Sequence, residues 1–334
     1  MTKIAIIGAG SWGTGLAIAL SRSKKPHAIS LWAHEAEVVE SMRARRMNDV
    51  FLPDFELPAV IAPTGELPEA LEGAEIILGV MPSTHARQLY TRIAKYASPR
   101  AAFVSATKGL EPETLLRMSE VIRQAIPAER APRIAVLSGP SFAREVARGD
   151  PTAIVIASED AQLAGEIQEE FSGPTLRLYS NSDVAGVELG GSVKNVIAIA
   201  AGVTEGLGLG RNTLAALITR GLAEMSRLAI ALGGRPETMA GLAGMGDLVL
   251  TCTGALSRNR GVGVELGKGR KLDEIVGSMR MVAEGISTTA ATRTLARRLS
   301  IEMPITEQMH AVLYEGRSPR DAIRELMERR LKGE

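Results

Sequence analysis

A glycine-rich hexamer directly behind the first apolar run constrains this chain more than any other stretch. Ile4-Ala5-Ile6-Ile7 leads into Gly8-Ala9-Gly10-Ser11-Trp12-Gly13, and a helical pattern from Thr14 to Leu20 follows without a break. GxGxxG alone is a weak signal. Between a strand and a helix at the start of a βαβ unit, each glycine acquires a task. Gly8 permits the tight turn, Gly10 lets the backbone approach a pyrophosphate, and Gly13 lets the helix pack on the strand. The free amides and positive end of the helix then face phosphate, so a dinucleotide is the expected ligand.

The rest of the N-terminal half extends that unit. Short β-branched runs alternate with helical patterns, which implies a parallel sheet covered on both faces. Strands are predicted at residues 3–8, 28–32, 59–62, 75–80, 101–106, 134–138, 153–157 and 176–179, with helices at 83–96, 112–125 and 161–171 among them. Right-handed crossovers make this a doubly wound sheet with its ligand edge at the carboxyl ends of the strands. After about Asp183 no convincing strand remains, only helical stretches broken by joints such as Gly206 to Gly210 and Gly233-Gly234. The chain therefore reads as an α/β nucleotide-binding domain, 1–183, followed by an all-α domain, 184–334. Without a long linker the two should pack directly, leaving a cleft as the expected site.

Bulk properties narrow the partners. Thirty-nine basic against 38 acidic residues leave a net charge of +1, which gives no electrostatic argument for nucleic acid or an acidic membrane surface. Aromatic residues are only 3% of the chain, too few for a base-stacking platform. Cys252, the single cysteine, is expected to be a reduced thiol, and no metal cluster is expected. The first strand-like run begins at Lys3, which leaves no room for a signal peptide, and no stretch of 18 uninterrupted apolar residues suggests a span; a cytoplasmic protein is expected. His27, His85 and His310 lack metal-ligand spacing and read as strand-edge or helix-surface residues. The charged stretch from Arg324 to Arg330 reads as a solvated amphipathic helix.

At the end of the second predicted strand an NAD-specific site would carry an acidic residue for the ribose 2′-hydroxyl. Ala33 and His34 stand there instead, with Glu35 one position further on. His34 suits a 2′-phosphate, with Arg43, Arg45 or Arg46 as possible helpers or merely a solvated helix face. NADP is thus favoured, with NAD tolerated.

Several residues are candidates for the chemistry. Gly190 to Gly202 is an apolar helical run carrying Lys194 and Asn195. A lysine buried there would lose pKa and become a usable base; a snorkelling lysine is the alternative. Lys108 closes an apolar strand at the ligand edge, unless it is an ordinary strand-end lysine. Ser138-Gly139-Pro140-Ser141-Phe142-Ala143 follows another strand and offers amides and the Ser141 hydroxyl, or simply a helix cap. Ala243 to Leu248 places Asp247 in a small apolar loop, either to tune Lys194 or to cap a helix. Ser257-Arg258-Asn259-Arg260-Gly261 offers hydroxyl, guanidinium and amide donors suited to a phosphate monoester; a basic surface turn is the other reading.

Together these motifs resemble the bacterial and archaeal-type soluble glycerol-3-phosphate dehydrogenases that use NAD(P). The resemblance spans the chain through Gly8 to Gly13, Ser105 to Gly109, Ser138 to Ala143, Gly190 to Asn195, Ala243 to Leu248, Ser257 to Asn259 and Val282 to Gly285. Ser192 departs from it, standing where the family more often has alanine or threonine. The resemblance implies a Rossmann domain followed by a helical domain like that of 6-phosphogluconate dehydrogenase. It makes Lys194 the catalytic acid/base and puts Lys108, Gly139, Ser141, Asp247, Ser257, Arg258 and Asn259 around dihydroxyacetone phosphate or sn-glycerol 3-phosphate. Ser11, Trp12, His34, Lys108, Ala143, Arg258, Val282 and Glu284 would contact the dinucleotide, and a homodimer is implied. A hydroxy-acid dehydrogenase on the same plan and a non-catalytic redox sensor are the competing readings.

Overall fold

Eight short strands form one sheet; those in its middle, rich in Ile, Val, Leu and Ala, are buried on both faces, whereas the edge strand Leu176–Asn181 alternates buried and exposed residues. The computed structural model describes residues 1–279 and 281–330. In chain order the strands are β1 Thr2–Ile7, β2 His27–Trp32, β3 Met47–Asn48, β4 Leu52–Glu56, β5 Ile61–Thr64, β6 Ile76–Gly79, β7 Ala102–Ser105, β8 Arg133–Ser138, β9 Thr152–Ala157 and β10 Leu176–Asn181. The large sheet runs β10-β9-β8-β7-β6-β1-β2-β5. β1 pairs with β2 on one side and β6 on the other, so the chain reverses its winding there and opens a crevice above the end of β1.

One pairing departs from the parallel expectation: β8 and β9 are antiparallel, with Val136 opposite Ala157. The helix between them, Ala143–Arg148, has six residues and spans about 9 Å. A six-residue strand is about 20 Å long, so this connection cannot return the chain to the start of β8 and β9 runs back beside it. The small β3–β4 ribbon was not legible in the sequence, because one of its strands has only two residues and Pro53 interrupts the other. Its first strand serves the glycine loop: Asn48 Nδ2 donates to the Ala9 carbonyl (2.7 Å) and to Thr14 Oγ1 (2.8 Å).

Two predicted helices are shorter than their patterns. The stretch 83–96 is a single 3₁₀ turn, Ser83–His85, followed by the helix Ala86–Ile93. The stretch 112–125 is helical only over Met118–Ala125. Before it, Leu115 adopts a left-handed conformation (φ 64°) in a turn closed by the Glu111 N–H to the Leu116 carbonyl.

From Val184 on, the described residues contain helices and no strand. The first, Val184–Gly206, is the axis of the second half, and every residue from 186 to 204 is buried. It is long and apolar enough to cross a membrane by composition, but 94% of its most apolar stretch is covered by the protein itself, so it is a core helix. Residues 331–334, the end of the expected helical domain, lie outside the described residues. The amphipathic tail is helical only in part: the helix Pro319–Met327 takes in residues 324–327 and ends before 328–330, with Ala322 buried and Arg320, Arg324, Glu325 and Met327 exposed. His27 departs from its expected surface place: it is buried, with Nδ1 at the Leu20 carbonyl and Nε2 3.0 Å from Glu170.

Candidate active site

The glycine loop has the geometry its spacing requires. Gly8 takes φ 120°, open only to glycine without strain, and a Cβ on Gly13 would collide with the Gly8 carbonyl. Gly10 faces open space, with nothing within 4 Å of where a Cβ would stand. Beside it, Trp12 Nε1 is a buried donor without a hydrogen-bond partner among the described residues. A glycine cradle under a helix N-terminus fits a dinucleotide pyrophosphate. Ser11 Oγ donates to the Phe51 carbonyl at 2.7 Å, so its hydroxyl proton is used within the protein. Ala143 approaches the loop helix so closely that a Cβ on Gly15 would meet its backbone.

At the end of β2, His34 and Arg43 share a cleft of about 680 Å³ with Glu40, Gly65 and Glu66. Of the three arginines considered for a 2′-phosphate, only Arg43 lines it. Arg45 is paired with Asp49, and Arg46 lies beyond its helix in a left-handed conformation, donating to the Leu57 and Ile61 carbonyls.

The titratable cluster lies where β7, β8 and the long helix converge. Lys108 follows β7; Gly139 follows β8 at φ 139°, a position closed to side chains by Ile154. Lys194 projects from the long helix and is only 4% exposed, so it does not snorkel. Its Nζ donates to Thr251 Oγ1 at 2.9 Å and pairs with Asp247 Oδ1. Lys108 Nζ pairs with the other oxygen, Asp247 Oδ2, at 3.0 Å and donates to the Gly139 carbonyl at 3.1 Å. A wholly buried carboxylate thus holds two ammonium groups. Burial pushes Lys194 down to about 7; the Asp247 charge opposes that shift and the Lys108 charge reinforces it.

Asp247 is not in a loop. The π-helical turn Leu242–Gly246 runs directly into the helix Asp247–Thr253, and Asp247 is its first residue. Small residues bring this turn close, since a Cβ on Gly190 of the long helix would collide with the Ala243 carbonyl. Thr251 was missed in the sequence. It lies four residues after Asp247 on the same helical face, and its hydroxyl donates to the Asp247 carbonyl at 2.6 Å while accepting from Lys194.

The Ser257 to Gly261 stretch is a helix start rather than a surface turn. Ser257 is the N-cap of Arg258–Gly267, its Oγ accepting from Arg260 N at 3.2 Å. That leaves the first amides of the helix free for an anion. Asn259 is buried in a cross-tie: Nδ2 donates to Asn195 Oδ1 at 3.0 Å, and Oδ1 accepts from Gly285 N at 2.9 Å. Exposed Arg258 donates to the Val282 carbonyl at 3.0 Å. Glu284 stands next to that cross-tie, and burial pushes its carboxyl up to about 7 despite Arg258 nearby. Ser141 Oγ turns to the Gly139 carbonyl at 2.9 Å. Cys252, buried beside the cluster, has its thiol pushed up to about 12 by burial, which makes it unreactive.

Comparison with known proteins agrees with this geometry. Residues 3–164 match the family described as NAD-dependent glycerol-3-phosphate dehydrogenase N-terminus, and residues 183–324 match the corresponding C-terminus. A protein of Koribacter versatilis named glycerol-3-phosphate dehydrogenase (NAD(P)+) is 61% identical over 98% of both chains. One of the same name from Citrifermentans bemidjiense is 54% identical over 99% of this chain and 98% of its own. The crystal structure of glycerol-3-phosphate dehydrogenase from Coxiella burnetii superposes with a TM-score of 0.93 at 42% identity, covering 98% of this chain and 99% of that one. With both halves matched and these identities over nearly its whole length, the chain belongs to the NAD-dependent glycerol-3-phosphate dehydrogenase family.

Proposed function

We propose that this protein interconverts sn-glycerol 3-phosphate and dihydroxyacetone phosphate with a nicotinamide dinucleotide. The observation that carries this reading is the Asp247 carboxylate held between buried Lys194 and partly exposed Lys108 where the two halves meet. The division between nucleotide and substrate domains falls at residue 183, where the last strand has ended and the long helix begins.

When bound, the dinucleotide supplies or accepts the hydride. Gly8, Gly10, Ser11, Trp12 and Gly13 hold its phosphates; His34 with Arg43 takes a 2′-phosphate, which favours NADP; Lys108, Ala143, Arg258, Val282 and Glu284 bound the remainder. In reduction, Lys194 as ammonium gives a proton to the C2 oxygen of dihydroxyacetone phosphate as negative charge develops on it; in oxidation the neutral amine takes the hydroxyl proton. Asp247 and Thr251 fix the direction in which Nζ points. Lys108 with Gly139 and Ser141 lines the substrate carbon chain. The phosphate lies at the N-terminus capped by Ser257, met by Arg258 and the first amides of that helix, Asn259 included. These donors suit a phosphate better than the lone carboxylate of a hydroxy acid.

We also assign the protein to the cytoplasm, where its glycerol 3-phosphate feeds glycerophospholipid synthesis. It acts there as a homodimer. The exposed apolar side chains Leu209 and Ile230, near the two ends of the helix Arg211–Ala231, support pairing through the helical half.

The direct test is the absorbance of NADPH or NADH after addition of dihydroxyacetone phosphate to purified protein; no oxidation of either would remove the reading. Arg258→Ala should raise KM for dihydroxyacetone phosphate by about 10- to 100-fold, because an exposed guanidinium contributes less than a buried one. An unchanged KM would show that the phosphate lies elsewhere. The pH dependence has a definite sign. With Lys194 near 7, oxidation should fall as pH drops below about 7, where the amine is protonated, and reduction should fall above it. Flat kcat/KM profiles in both directions between pH 6 and 8, an interval of about one unit each side of that value, would contradict the assignment.

A further inference from the structure

The long helix meets its surroundings near Lys194 through glycine. Gly191 lies against the Ser138 hydroxyl at the end of β8, and Gly190 against the Ala243 carbonyl on the other side. Such faces permit close approach, yet they lack the side-chain ridges that lock one surface against another. At these two glycines the contact itself does little to set the helix along its axis, so directional bonds on the side facing the nucleotide-binding half carry more of that task.

Glu188 supplies such bonds. Its Oε1 accepts from Ser119 N at 2.7 Å, and its Oε2 accepts from Ser119 Oγ at 2.6 Å and from the Arg117 guanidinium at 3.2 Å. Ser119 is the second residue of the helix Met118–Ala125 in the nucleotide-binding half, so the carboxylate closes the positive end of that helix. The two Ser119 bonds are buried and the Arg117 bond is part-buried, and they converge on one carboxylate from two directions. Ser192 Oγ in turn donates to the Glu188 carbonyl at 2.7 Å, next to Gly191. Lys194 stands six residues further along the helix, about 9 Å of axial rise.

We propose that Glu188 is a positioning residue: by bonding Ser119 and Arg117 it fixes the register of the long helix against the nucleotide-binding half, and so the place of Lys194 relative to the hydride. This rests on the reading of Lys194 as the acid/base. A misplacement of about 1 Å at reacting atoms can cost on the order of 100-fold in rate, whereas binding of substrate or dinucleotide by other residues is untouched.

The test compares wild-type protein with Glu188→Gln, which keeps the shape but sets an amide N–H against the Ser119 donors, and with Ser119→Ala, which removes one of the bonds. Steady-state kinetics with NADPH and dihydroxyacetone phosphate are run with protiated and 4-deuterated cofactor. Glu188→Gln is expected to lower kcat by about 10- to 100-fold with both KM values within about 3-fold, and to raise the isotope effect on kcat as hydride transfer becomes limiting. Ser119→Ala should move kcat the same way by a smaller factor. Unchanged kcat and isotope effect in Glu188→Gln, whatever the change in melting temperature, would make Glu188 a mere stabiliser and overturn the proposal. Should Glu188→Gln not fold, an unaltered kcat in Ser119→Ala overturns it equally. Wild-type protein without turnover would overturn the functional reading itself, an outcome distinct from equal activity in wild type and variant.

Discussion

Lys194→Ala should lower turnover by roughly two to four decades, the range expected for loss of a positioned general acid/base, with dinucleotide affinity nearly unchanged. The expectation follows from where the side chain ends. Nζ is buried, directed by Thr251 and Asp247, and poised by burial at about 7, where either protonation state is accessible. Lys194 lies deeper than the neighbouring amine: it is only 4% exposed, whereas Lys108 is partly exposed and held by Asp247 and the Gly139 carbonyl. Single-turnover hydride transfer, followed at the NADPH absorbance, separates the chemical step from product release. Turnover within a few fold of wild type would end the assignment of Lys194. The variant is also expected to fold, because Asp247 retains Lys108 as its counter-ion.

Asp247→Asn should produce the second large effect, through the same triad but with a different signature. Asp247 is 0% exposed and is the charge that opposes the burial of Lys194. Without it two amines face each other across an uncharged amide, and the lysine pKa moves further down. Reduction of dihydroxyacetone phosphate at neutral pH should then fall by about 100-fold or more, because the ammonium form is scarce. In the oxidative direction the lower limb of the pH profile should move well below 7, since the amine stays neutral to lower pH. Removing one partner of a buried ion pair costs on the order of 3–5 kcal/mol, and the deprotonation of Lys194 offsets part of that, so the melting temperature should fall without abolishing folding. A limb that remains near 7 in Asp247→Asn would show that Asp247 does not set the lysine.

Much of this arrangement was legible in the chain itself, for reasons that differ from residue to residue. The glycine loop was readable because backbone sterics dictate glycine at Gly8 and Gly13 wherever that turn occurs. The central strands of the large sheet were readable because burial on both faces leaves continuous apolar runs. Lys194 stood out because a cation in an apolar helix needs a compensating partner. Other features were hidden. The β3–β4 ribbon is too short to show a period, and the helix at Met118 starts late because its N-terminus is closed by Glu188, 69 residues further on. Asn259, read as a phosphate donor, spends side-chain atoms on Asn195 and Gly285, partners 64 and 26 residues away.

The sequence alone determined the classes of residue and their order: a nucleotide loop at the front, an α/β half, a helical half, and amines, a carboxylate and an arginine spaced for an anionic substrate. Those properties follow from local steric rules and hydrophobic periodicity, which act over a few residues. Tertiary structure alone decided that Asp247 lies between Lys108 and Lys194, that Thr251 shares the amine, that β9 runs against β8, and that Glu188 ties the lysine's helix to the other half of the molecule. Hydrogen bonds and charge pairs form between atoms about 3 Å apart, and separation along the chain carries no information about that distance until the fold has closed.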